Sequence, residues 1–179
     1  MLDPAALAME PAPGRACGTC TLCCKVYDIP PLAKPAGAWC RHCRPGRGCV
    51  IHPDRPQHCR DFHCLWITQA WLGPEWKPDR SKMVLTIDAA TRFLLVQVDH
   101  GAPNAWRAEP YYRQLKQWSG AAAGRGQHVI VFLNKSATVI LPDRDVPLGV
   151  MGPTDRIVAR ERRTATGTSI DVERVAGAA

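Results

Sequence analysis

Nowhere in the 179 residues does an apolar run approach the roughly 20 residues that a membrane-spanning helix needs. The opening segment, Met1 to Glu10, has no basic cluster and no apolar core long enough for a secretory signal. The expected location is therefore a reducing cytoplasm, where clustered cysteines serve as metal ligands or redox groups rather than as a disulfide framework. An odd total of nine cysteines, two of them adjacent, also argues against disulfide pairing. Absent too are a glycine-rich nucleotide-binding fingerprint, a repeat at solenoid period and any catalytic motif in the second half. The cysteines all lie between Cys17 and Cys64, and residues 81–179 contain none. The chain is thus compositionally split.

The stretch that organises the first third is Cys17-Gly18-Thr19-Cys20-Thr21-Leu22-Cys23-Cys24. Two intervening residues let the backbone turn back so that both thiols of a CxxC step address one ion. The adjacent Cys23 and Cys24 side chains diverge. That pair suits two ions, or two irons of one cluster, better than a single tetrahedral ion.

The formal charge of +7 invites a nucleic-acid reading, since lysine and arginine patches are the footprint of phosphate binding. The count assumes neutral thiols. Eight thiolates holding two divalent ions would change it by −8 and +4, to +3. Arg41, Arg44, Arg47, Arg55 and Arg60 lie among the cysteines, where guanidinium groups offset a negative metal-thiolate centre. Nucleic acid is accordingly a partner that the charge permits but does not favour.

Along the chain, residues 1–16 read as a flexible leader, residues 17–80 as a cysteine-cluster metal-binding domain, and residues 81–179 as a sheet domain. Pro30, Pro31, Pro35, Gly37 and Pro45 to Gly48 keep the middle of the cysteine region irregular. Pro53 to Pro56 forms a turn into one or two helical turns that carry Cys59, and a helix is expected from Cys64 to Leu72. Trp66 and Trp71 are expected as core or lid residues over the metal site. From Lys82 the pattern changes to period two. Hairpins are expected at 83–87 with 93–98, at 128–133 with 138–141 around Asn134-Lys135, and at 156–162 with 168–172 around Thr166-Gly167. One helix over 109–118 is expected to end before Gly120. The fold class is α+β: a small irregular cysteine-rich domain, then a mostly antiparallel sheet with one main helix.

Written out, the spacing is Cys17-x2-Cys20-x2-Cys23-Cys24-x15-Cys40-x2-Cys43-x5-Cys49-x9-Cys59-x4-Cys64. With Cys49-Val50-Ile51-His52 and Arg55-Pro56-Gln57-His58-Cys59-Arg60-Asp61-Phe62, it resembles the bacterial CxxCxxCC family of zinc- or iron-chelating proteins. That family shows a four-cysteine cluster, a cysteine eight residues before a C-x-I-Y element, and then R-P-x-x-C-R-x-F. The resemblance covers residues 17 to about 66 and implies Cys17, Cys20, Cys23, Cys24, Cys40, Cys49, Cys59 and Cys64 as the metal ligands. It leaves Cys43 as the surplus thiol, although spacing alone makes Cys40-x2-Cys43 a ligand pair. His52 stands where the family has tyrosine, as a packing residue with a polar tip or as an added ligand. His42, His58 and His63 are expected at the surface or behind the ligands.

The expected function is therefore that of a cytoplasmic metal-binding protein holding zinc or iron, including an iron-sulfur cluster, through thiolates. The resemblance extends to larger flagellin lysine methylases, whose cysteine cluster looks like an iron-sulfur site. An iron-sulfur enzyme, or a partner in electron or methyl transfer, is thus the alternative. A zinc-stabilised module binding nucleic acid or protein is the third reading. Its nucleic-acid form predicts an affinity that falls steeply with salt.

Overall fold

The computed structural model describes residues 10–164 and 167–177. Residues 1–9 of the expected leader and Thr166 of the third expected turn lie outside the described residues. The chain is α+β, with nine strands, short helices in the first half and one main helix among the described residues. Strands β1 (Cys43–Arg44) and β2 (Gly48–Cys49) form a small hairpin among the cysteines. Four single-turn helices accompany it: α1 (Cys23–Val26), α2 (Gln57–Arg60), α3 (Leu65–Thr68) and α4 (Pro78–Ser81).

The main sheet runs β3 (Met83–Ile87), β4 (Leu94–Val98), β5 (Val129–Leu133), β6 (Ser136–Ile140), β7 (Asp145–Val150), in that spatial order. All neighbours are antiparallel except β4 and β5, which are parallel. A parallel pair cannot be joined by a tight turn, and here helix α5 (Tyr111–Ala123) lies in the connection. Strands β8 (Arg156–Thr164) and β9 (Gly167–Val175) make a separate two-stranded ribbon.

Period-two alternation sorts the sheet into two faces. Val129, Val131, Val96 and Leu85 face one side, where Leu115 and Trp118 of α5 cover them. Ile130 and Val139 face the other side and pack against Ile157, Ile170 and Val172 of the β8–β9 ribbon. Lys116 and Ser119 fix α5 to the sheet, through an ion pair with Asp145 at 2.7 Å and a hydroxyl donated to the Ile140 carbonyl at 2.5 Å.

Three details differ from expectation. α5 continues through Gly120 to Ala123. Three alanines follow the glycine, and their helical preference outweighs its cost of about 1 kcal/mol. Strand β7 escapes a propensity reading because it contains Pro147 and Gly149, the latter at φ +73°. Both are tolerated because β7 is the edge of the sheet. The helix expected from Cys64 to Leu72 is only the four residues of α3, since Gln69 turns extended at ψ 99°.

Arg15 accounts for that early stop. Its guanidinium donates to the carbonyls of Trp66, Gln69 (2.9 Å), Ala70 (2.9 Å) and Leu72 (2.6 Å), replacing the hydrogen bonds that a longer helix would have supplied. Ala12 is buried, and its N–H reaches the Ile67 carbonyl at 2.8 Å. Residues 12–15 are therefore tied to the fold rather than frayed. Because charge-assisted hydrogen bonds contribute about 1.5–3 kcal/mol each where buried, Arg15→Ala is expected to cost about 2 kcal/mol or more. Urea unfolding checks this, and an unchanged midpoint would rule out the strap.

The cysteine region and the sheet share a core. Leu65, Leu72 and Trp76 sit in one apolar cluster with Met83, Leu115 and Trp118. Val84 of β3 packs with Leu22, Val26 and Ile67. Lys25 and Asp99 form an ion pair at 2.6 Å, with both side chains largely shielded.

Candidate metal centre

Backbone hydrogen bonds fold the cysteine segment back on itself. The Cys20 N–H reaches the Cys17 carbonyl at 2.8 Å, closing a turn at Gly18, whose φ of +52° suits a residue without a β-carbon. α1 then begins at Cys23, so the Cα–Cβ bonds of Cys23 and Cys24 start about 100° apart around a helical turn, although their thiols still reach each other. The following loop returns to α1: Gly37 N–H bonds the Lys25 carbonyl at 2.9 Å, and Cys40 N–H bonds the Cys24 carbonyl at 3.0 Å. Fifteen intervening residues of irregular chain thus end with Cys40 beside Cys24.

A second CxxC turn follows, with Cys43 N–H on the Cys40 carbonyl at 2.9 Å. Cys43 and Cys49 are directly opposed across the β1–β2 ladder, so their side chains leave the hairpin on the same face. The Gly46 N–H bonds the Thr21 hydroxyl at 3.2 Å, tying the hairpin tip to the first cysteine stretch. Cys59 lies in α2, and Cys64 caps the start of α3.

The result is one cavity of about 780 Å³ into which all nine cysteines face. The eight residues implied by the resemblance are all there, and so is Cys43, which the resemblance left over. Cys40, Cys43 and Cys64 are buried, Cys17 is exposed, and the rest are half-buried. Among the described residues, however, no three Cys, His, Asp or Glu side chains stand closely enough around one point to hold an ion as placed. Thiolates bind zinc at about 2.3 Å. Gathering the sulfurs to that distance requires side-chain rotation within the cavity.

His42, His52, His58 and His63 also line this cavity. Two of them face arginines: His42 Nε2 accepts from Arg41 at 3.1 Å, and the His52 ring contacts the Arg55 guanidinium. Trp66 forms part of the wall, its indole N–H donated to the Gly73 carbonyl at 3.2 Å and its face covered by Arg15. Trp71 instead packs edge-on against Trp118, with ring centroids 5.8 Å apart.

Six of the thiols are made harder to ionise and one easier. Burial pushes Cys43 and Cys64 up to about 11, and burial also raises Cys17, Cys20 and Cys59. Neighbouring thiolates oppose one another in the same direction. At Cys64 the Ile67 and Trp66 N–H groups partly offset burial. Cys24 moves the other way, down to about 6, because the Cys23 and Cys43 thiols hydrogen-bond to it and Lys34 lies nearby. Cys23 is correspondingly raised, first by that hydrogen bond and then by burial.

Lys34 was not legible as part of the site. It is buried at 7% exposure, donates to the carbonyls of Lys25 (2.7 Å) and Tyr27, and its charge faces Cys24 and Cys40. No sequence signal separates it from an ordinary loop lysine. A crowded set of thiols that repel one another as anions is a site whose charge a bound cation would balance. The donor chemistry therefore fits zinc or iron.

Comparison with protein-family models gives no match, and neither the curated proteins nor the solved structures compared contain a match to this chain.

Proposed function

We propose that the protein binds zinc or iron, as ions or as an iron-sulfur cluster, through cysteine thiolates in the cavity described above. The observation that supports this best is convergence. Nine cysteines spread over residues 17–64 all line one cavity, brought there by backbone hydrogen bonds and a hairpin rather than by sequence proximity alone. Soft thiolate donors select zinc and iron-sulfur centres over hard cations. The candidate ligands are Cys17, Cys20, Cys23, Cys24, Cys40, Cys49, Cys59 and Cys64, with Cys43 within the same cavity.

An iron-sulfur centre serving electron or methyl transfer is the second reading. Thiolates suit it as well as they suit zinc. Anaerobic purification with elemental analysis and a visible spectrum separates the two. A colourless protein with zinc indicates thiolate-bound ions, and iron with acid-labile sulfide indicates a cluster. Protein with neither metal, even after anaerobic reconstitution with each, contradicts the proposal.

The basic surface gives nucleic acid less support, because several arginines of the β8–β9 ribbon are already paired with carboxylates. Arg160 binds Glu173 at 2.6 Å and Arg162 binds Asp171 at 3.2 Å. Salt-independent absence of RNA and DNA binding is the expected result. No helix among the described residues is long and apolar enough to cross a membrane.

A further inference from the structure

The nine thiols do not form one ring. Cys24, Cys40, Cys43 and Cys59 pack in a single apolar cluster with Ile29 and Leu32. Cys64 belongs to a different cluster, with Leu22, Val26, Ile67 and Val84. The backbone follows the same division. Cys40 is strapped to the Cys24 carbonyl, and Cys43 is turned back onto Cys40 and carries Cys49 opposite it. The first CxxC turn closes separately at Cys17 and Cys20.

Electrostatic proximity agrees with the packing. Cys64 faces Cys17 and Cys20, and Cys23 faces the same two. Cys59 faces Cys24, Cys40 and Cys49. The groups meet where Cys24 approaches Cys23 and Cys17. The vicinal pair is therefore the seam, where the Cys23 thiol hydrogen-bonds to Cys24.

Resting on the metal-binding reading above, we propose that the cavity holds two separate four-thiolate centres divided between Cys23 and Cys24. One is Cys17, Cys20, Cys23 and Cys64. The other is Cys24, Cys40 and Cys59 with a fourth ligand from the opposed pair Cys43 and Cys49. That second group has one thiol more than a tetrahedral ion takes, so Cys43 and Cys49 substitute for each other. Lys34 lies beside the second centre and Arg55 beside Cys17, so each centre has a cation near its net negative charge.

The test uses the full chain loaded with cadmium-113, a spin-active stand-in for zinc. Two signals from sulfur-bound cadmium, with no cadmium–cadmium coupling, are expected. Cys20→Ser with Cys64→Ser should remove one signal, and Cys24→Ser with Cys59→Ser the other. Cys43→Ser and Cys49→Ser should each keep both, while the pair combined loses the second. A single signal, or resolved coupling between two cadmium ions through a shared thiolate, overturns the division. The wild-type spectrum decides this even where a double variant fails to fold. A chain that takes up no cadmium contradicts metal binding itself, whereas a coupled pair contradicts the two-centre division alone.

Discussion

Cys24→Ser is expected to lower bound metal by roughly one ion per chain and to loosen residues 17–64. Cys24 is tied to its neighbours through both its sulfur and its backbone. The Cys23 and Cys43 thiols hydrogen-bond to its sulfur, and the Cys40 N–H is held by its carbonyl. A serine hydroxyl keeps the backbone strap but offers no soft donor, so what is lost is coordination rather than local shape. Elemental analysis reports the metal, and amide hydrogen exchange reports the loosening. Protection should fall in residues 17–64 and persist in β4 and β5. Cys43→Ser should retain the metal. Equal loss in the two variants would contradict the roles given to these sulfurs.

Chelation is expected to have the largest effect of all. The inner part of the cysteine region is packed largely by thiols: its cluster is built on Ile29, Cys40 and Cys43, with Leu32, Cys24 and Cys59 only partly buried around it, while Leu22, Val26 and Ile67 pack outward against Val84 of the sheet. The sheet has its own core, from Met83 and Val96 to Leu115 and Ile140. Structural zinc supplies on the order of 10–16 kcal/mol to small domains that depend on it. Stripping the metal should therefore unfold residues 17–64 while leaving the five-stranded sheet protected. Leu65, Leu72 and Trp76 should remain with the sheet, whose core they join. Unchanged exchange across residues 17–64 after complete metal removal would show that thiol packing alone sustains that region.

Much of the sheet was readable because its apolar residues alternate. Met83–Ile87 and Val129–Leu133 emerge with nearly their expected limits, and Asn134 at φ +53° makes the expected turn between β5 and β6. β7 was hidden by Pro147 and Gly149, residues that an edge strand accepts and a pattern rule rejects. The parallel pairing of β4 with β5 depends on what lies across the intervening connection, and no local pattern encodes that. At the candidate site, thiol identity was plain from spacing, whereas grouping was not. Cys40 is sixteen residues beyond Cys24 in sequence yet bonded to its carbonyl, a relation created by Gly37 and Lys34 folding the loop back. The role of Arg15 was invisible for a similar reason, since its four acceptors lie more than fifty residues away.

X-ray absorption at the metal edge of the anaerobically purified chain tests the central claim most directly, because it reads the atoms bound to the metal. Coordination by sulfur alone, at about 2.3 Å, is expected for thiolate-bound zinc, with an additional iron–iron distance if the metal is a cluster. Coordination dominated by nitrogen or oxygen would contradict an all-cysteine centre and shift the site to the histidines of the same cavity.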